Sequence, residues 1–137
     1  MKRRTCSYQQ SRIAMAVFGG MAFILGITTI FHPSYMVERL NLFSVDTTEL
    51  RSIIVLSGIA STNMGAYYLY MAYHRVIIFF KITIVFRLLI TVPVLVYWCV
   101  VQDQDALLLI ALWEGFGALW VLLALIYDNN RLLTKGS

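Results

Sequence analysis

The chain has 137 residues, of which 60% are hydrophobic and 13% charged, and a formal net charge of +4. Soluble domains carry about 25% charged and 45–50% apolar residues, and small domains bury the smallest fraction of their surface, so the composition argues against a water-soluble globule and for a bilayer as solvent. The positive charge gathers near the chain ends without aromatic stacking platforms beside it, which argues against a nucleic-acid partner and reads as a topology signal.

Lys2, Arg3, Arg4 and Arg12 precede the first apolar run, residues 13–31. That run exceeds the about 7–15 residues of a signal-peptide core, and no small-x-small cleavage site precedes His32 and Pro33. It is therefore expected to stay as a helix. Within it Gly19, Ala22 and Gly26 recur at i, i+3 and i+7, a smooth stripe on which a second helix can approach closely.

Residues 32–50 form the one long link between runs. Pro33 suits the first turn of a helix, and Met36, Val37, Leu40 and Phe43 fall on one helical face. A short amphipathic helix over residues 33–42, lying in the outer membrane interface, is expected. Asp46 followed by Glu49 has capping-box spacing for the helix that comes next.

The second run, residues 52–73, repeats the small-residue spacing at Gly58, Ser61 and Gly65. Tyr67, Tyr68, Tyr70 and Tyr73 read as an interfacial aromatic belt, with Trp98 at the opposite level. After His74 and Arg75 the third run covers residues 76–101. Lys81 is placed to snorkel toward the surface, and Pro93 is expected to bend the helix. The acidic link 102–105 leads to the fourth run, residues 106–127, which carries Ala111, Gly115 and Ala118 for close packing and Trp113 and Trp120 deeper in the run.

Each run reaches the about 20 residues that a helix needs to cross hydrocarbon, and none alternates as a spanning strand of about 9–11 residues would. The expected fold is all-α, one membrane domain over residues 1–137, an antiparallel bundle of four transmembrane helices with the interfacial helix between the first and second. Short links make helices two, three and four sequential neighbours. Lys2, Arg3, Arg4, Arg12, Arg75, Arg131 and Lys135 would share one side, and Arg39, Arg51 and the acidic link the other. The excess of Lys and Arg then places both termini on the cytoplasmic side of whichever membrane holds the chain.

A charge at the bilayer centre costs at least about 2.5–3.5 kcal/mol on the insertion scale. Arg87 lies 12 residues beyond Arg75 (87 − 75), about 18 Å along its helix. Glu114 lies 9 residues beyond Asp105 (114 − 105), about 13–14 Å from the other side. Asn63, 12 residues past Arg51 (63 − 51), reaches the same depth. An intramembrane cluster of Asn63, Arg87 and Glu114 is therefore expected, as a structural lock between helices or as a proton or ligand site.

Catalytic and metal-binding patterns are absent from the sequence, and no cofactor is expected. Cys6 and Cys99 sit in unlike places, and His32 and His74 fall at opposite faces, so neither a disulfide framework nor a shared metal site is expected. The layout of Pro33, Arg51 with Gly58 and Gly65, Arg87, and Glu114 ahead of Gly117 and Ala118 resembles a broad group of small four-span membrane proteins common in bacteria. That resemblance implies a fold and no established activity. In that group the acidic residue of the fourth span is often Asp, where this chain has Glu114.

Functionally, the sequence points to a non-catalytic membrane subunit or accessory protein that packs against membrane lipids, other membrane proteins or further copies of itself. The alternative is a transporter-like or lipid-binding protein that works through Arg87 and Glu114.

Overall fold

The computed structural model describes residues 8–40, 48–102 and 105–136, and these are helical almost throughout. The elements in chain order are α1 (Gln9–Phe31), α2 (Pro33–Leu40), α3 (Thr48–His74), α4 (Ile77–Phe86), a π-helical turn (Arg87–Thr91), α5 (Val92–Gln102) and α6 (Asp105–Gly136). Among the described residues three helices are long and apolar enough to cross a membrane, Gln9–Phe31, Ile77–Val101 and Leu107–Thr134. At 27 residues α3 has the length, but its serines, tyrosines, Thr62 and Asn63 lower its mean hydropathy.

α1 begins four residues ahead of the first apolar residue that the sequence marks, Ile13. Its opening turn lacks a side-chain cap from Tyr8. The cap comes from far along the chain: Asp128 on α6 accepts the Ser11 N–H at 2.9 Å and the Ser11 hydroxyl at 2.6 Å. A carboxylate on these orphan donors also sits favourably against the positive end of the helix dipole.

Pro33 opens α2, whose Val37 is buried with Leu50 and Ile54 of α3 in a small satellite core. Leu42, Phe43 and Asp46, on which the far end of the expected amphipathic helix and its capping box depend, lie outside the described residues. So does Cys6.

α3 stops through a left-handed residue, Arg75, at φ 59°. The Arg75 N–H donates to the Ala72 carbonyl and the Val76 N–H to that of Met71, the paired bonds of a Schellman stop. Arg stands where glycine is usual.

The third apolar run is one helix interrupted by the π-helical turn. The Val92 N–H donates to the Arg87 carbonyl, five residues back. Pro93 follows immediately. Proline has no N–H, and its ring would collide with the carbonyl four residues earlier in a regular α-helix. One extra residue in the preceding turn relieves that collision.

The fourth helix extends past the expected end at residue 127 to Gly136, 32 residues and about 48 Å. No proline or glycine interrupts it between Ala118 and Gly136, so its end is set by the first residue that favours a stop.

Packing centres on α1, which lies against α3 and α6, while α4, the π-turn and α5 lie against α6. This differs from the expectation that helices two, three and four form a simple sequential series. α3 is drawn to α1 instead, because the small residues of the two helices match.

A Cβ on Gly65 would lie 2.5 Å from the Phe23 nitrogen and 2.7 Å from the Gly19 oxygen, and one on Gly58 would lie 3.0 Å from the Gly26 oxygen. Between these two contacts the Ser61 hydroxyl donates to the Ala22 carbonyl at 3.0 Å. Backbone meets backbone along the whole stripe. The main core gathers Met15 from α1, Tyr68 and Ala72 from α3, Phe80 and Ile84 from α4, and Val121 and Leu125 from α6.

Candidate functional site

Arg87 opens the π-helical turn and is only 8% exposed. Its Nε lies 3.1 Å from Glu114 Oε2, and a terminal guanidinium nitrogen donates to the Tyr68 hydroxyl at 3.0 Å. Its charge also faces two aromatic rings, with centroids 5.2 Å away for Phe18 and 4.9 Å for Tyr68. Electron-rich ring faces attract a cation, most strongly where water is excluded.

The four participants come from four helical segments: Phe18 from α1, Tyr68 from α3, Arg87 from the π-turn and Glu114 from α6. Each reaches the centre for a local reason. The π-turn re-aims Arg87, since an inserted residue rotates everything beyond it relative to the preceding helix. Phe18 is wedged over Gly117, where any Cβ would strike its ring, and is flanked by Trp113 and Trp120 at centroid distances of 5.0 and 6.4 Å. Tyr68 follows Gly65 by one turn and so shares the face that meets α1.

Of the three residues expected in the polar cluster, Arg87 and Glu114 come together and Asn63 does not. Asn63 is exposed on α3. Matching depth brought it to the right level, but its azimuth is wrong: Gly58, Ser61 and Gly65 commit the opposite face of α3 to α1.

Tyr68 takes the place expected of Asn63. It is 4% exposed and leaves the belt that Tyr67, Tyr70 and Tyr73 still form on the outside. The signal that could have found it is its seven-residue spacing from Ser61 on the stripe.

In the fourth helix Gly115 makes only an ordinary contact, 3.6 Å from a Cβ to Val92. The close approach belongs to Gly117, with Ala111 and Ala118 buried near it.

Chemically, the centre is a neutralised pair. Arginine does not lose its proton in proteins, so the Arg87–Glu114 pair offers no acid that titrates readily, and its donors are already spent on Glu114 and Tyr68. A second polar contact, the buried Asp128–Ser11 cap, was not singled out from the sequence because Asp128 follows the fourth apolar run and its partner precedes the first. Among the described residues no three of His, Cys, Asp or Glu converge to hold a metal ion. Neither a family model, nor a curated protein, nor a solved structure matches the chain.

Proposed function

We propose that this chain is a small multi-pass membrane protein without catalytic activity, an accessory or structural subunit that works by packing against lipids or partner membrane proteins. The observation that carries this reading is the helix Ile77–Val101. It is the most apolar of the chain, and only 11% of its apolar window is buried inside the molecule. Such a helix has a bilayer or a partner as its natural surroundings.

In this reading α3, about 40 Å long at its 27 residues, is the fourth span of an antiparallel bundle, and α2 lies in the interface. Both termini face the cytoplasm, in line with Arg12, Arg75 and Arg131 at one level. Arg87 and Glu114 act as a lock that specifies how α1, α3, α4 and α6 assemble. Support for a lock over a working site comes from the closure of Arg87 by two rings and two polar partners.

Two experiments test the reading. Cysteines introduced at Asp103 and near Lys135 are expected to label from opposite sides of the membrane; labelling from the same side refutes the topology. Purification in native nanodiscs should recover partner proteins or retained lipids that are lost when exposed residues of Ile77–Val101 are made polar. Recovery of a bare, lipid-free chain from wild type overturns the subunit reading.

A further inference from the structure

A groove of about 570 Å³ runs between the start of α1 and the end of α3. Its walls change in character with depth. Gln9, Arg12 and Tyr73 lie at its mouth, where α1 begins and α3 ends. Ile13, Ala16 and Leu69 lie about one turn further along the same helices, toward the middle of the molecule. Ile13 and Leu69 leave 47% and 37% of their surface uncovered, so this wall stays open to an apolar occupant.

Arg12 is held in place. Its Nε donates to the Ala72 carbonyl at 3.0 Å, which pins the guanidinium against the groove wall. A guanidinium has five N–H donors, and the terminal ones remain available. Among the described residues no carboxylate pairs with Arg12. The buried carboxylate at this end, Asp128, is already occupied by the Ser11 amide and hydroxyl. A fixed cation therefore stands at the mouth of an apolar trough, at the level where a spanning helix meets the headgroups.

We propose that this groove binds an anionic phospholipid, its phosphate on Arg12 and the upper part of an acyl chain along Ile13, Ala16 and Leu69. The inference rests on the membrane reading above. The charge complementarity favours a lipid over a partner helix, which would fill the apolar wall and leave Arg12 without a counter-charge. The polarity gradient from Arg12 and Gln9 down to Ala16 and Leu69 runs in the same order as that of a phospholipid, from phosphate through glycerol to hydrocarbon.

The test uses the full chain in nanodiscs of equal phosphatidylglycerol and phosphatidylcholine, with the lipids retained after a detergent wash counted by native mass spectrometry. Wild type is expected to retain phosphatidylglycerol in preference to phosphatidylcholine. Arg12→Gln keeps an amide nitrogen where Arg12 Nε sits, and so keeps the bond to Ala72 while removing the charge. It is expected to lower the phosphatidylglycerol preference about fivefold, the effect of one basic side chain at a membrane surface. Ala16→Leu fills the apolar wall without touching the guanidinium and should reduce retention of both lipids.

Equal retention of the two lipids by wild type overturns the proposal, as does a preference that survives Arg12→Gln. Unchanged retention in Ala16→Leu, or a protein recovered on this face in place of lipid, does the same. A carbonate wash of membranes keeps the two claims apart: a chain that stays in the membrane but shows no lipid preference loses the groove proposal alone, whereas a chain released by the wash loses the membrane reading as well.

Discussion

Single residues carry consequences here that their chemistry alone would hide. Gly65 and Gly20 are both helical glycines near the middle of the chain's apolar runs, yet they should respond oppositely to a methyl group. At Gly65 the added carbon meets the Phe23 and Gly19 backbones, which cannot move away cheaply, whereas at Gly20 nothing lies within 4 Å. Gly65→Ala is expected to destabilise the protein by about 1–3 kcal/mol, and Gly20→Ala to stabilise it by about 0.5–1 kcal/mol through the entropy of the unfolded chain. Denaturant titration in mixed micelles would check both signs.

Asp128 is a second such residue. Its replacement by Ala should cost about 0.5–2 kcal/mol, the usual effect of losing a helix cap. It should also selectively expose the amides of residues 9–12 to hydrogen exchange, and protection unchanged over those residues would count against the cap.

At the scale of the element, the interrupted helix formed by α4, the π-turn and α5 is the most informative. The π-turn contains one residue more than a regular helix needs, and Pro93 explains why it persists. Deleting Leu89, which is 70% exposed within the turn, together with Pro93→Ala should convert the segment to a continuous α-helix with its outer register preserved. Deleting Val85, in the regular helix before the turn, should instead rotate Ile84 and Phe80 out of the core or Arg87 away from Glu114. Folded yield of the two deletions, compared side by side, separates the cases. Equal loss in both would mean that the turn is not a spare residue. The α1–α3 contact shows the opposite logic, since a periodic pattern of small residues is matched there without any break.

For the whole molecule, the question is what joins the α1–α3 pair to the α4–α6 pair. Arg87 and Glu114 lie at that seam with Phe18 and Tyr68 closing over them. Removing one charge, by Arg87→Ala or Glu114→Ala, should cost about 3–5 kcal/mol because the other is left buried and uncompensated. The matched pair Arg87→Met with Glu114→Leu should recover most of that stability and retain whatever copurifies with the wild type. A double variant as unstable as either single one would show that the charges do more than cancel.

The outer surface should behave differently from this seam. Leu89→Ala and Val100→Ala, at 70% and 77% exposure, should change stability by no more than about 0.5 kcal/mol. Phe80→Ala, fully buried, should cost about 3 kcal/mol, the low end of the usual range because hydrocarbon solvent supplies no hydrophobic penalty.

Much of this was legible in the linear chain. The lengths of the apolar runs announce helices of spanning size because hydropathy and helical rise are local properties. The stripes Gly19–Ala22–Gly26 and Gly58–Ser61–Gly65 announce a close helix pair because small residues at one azimuth have few other uses. The Arg87–Glu114 contact was legible as well, since depth along a helix can be counted from its ends. Azimuth could not be counted in the same way. It depends on which helix each face meets, so Asn63 was placed at the right height and on the wrong side, and Tyr68 was read as part of a belt. The early start of α1 and the long reach of α6 are similar cases. They depend on Asp128 meeting Ser11 across 117 residues of chain, and a bond between residues so distant has no local signature: only the packing of α1 against α6 brings its two ends together.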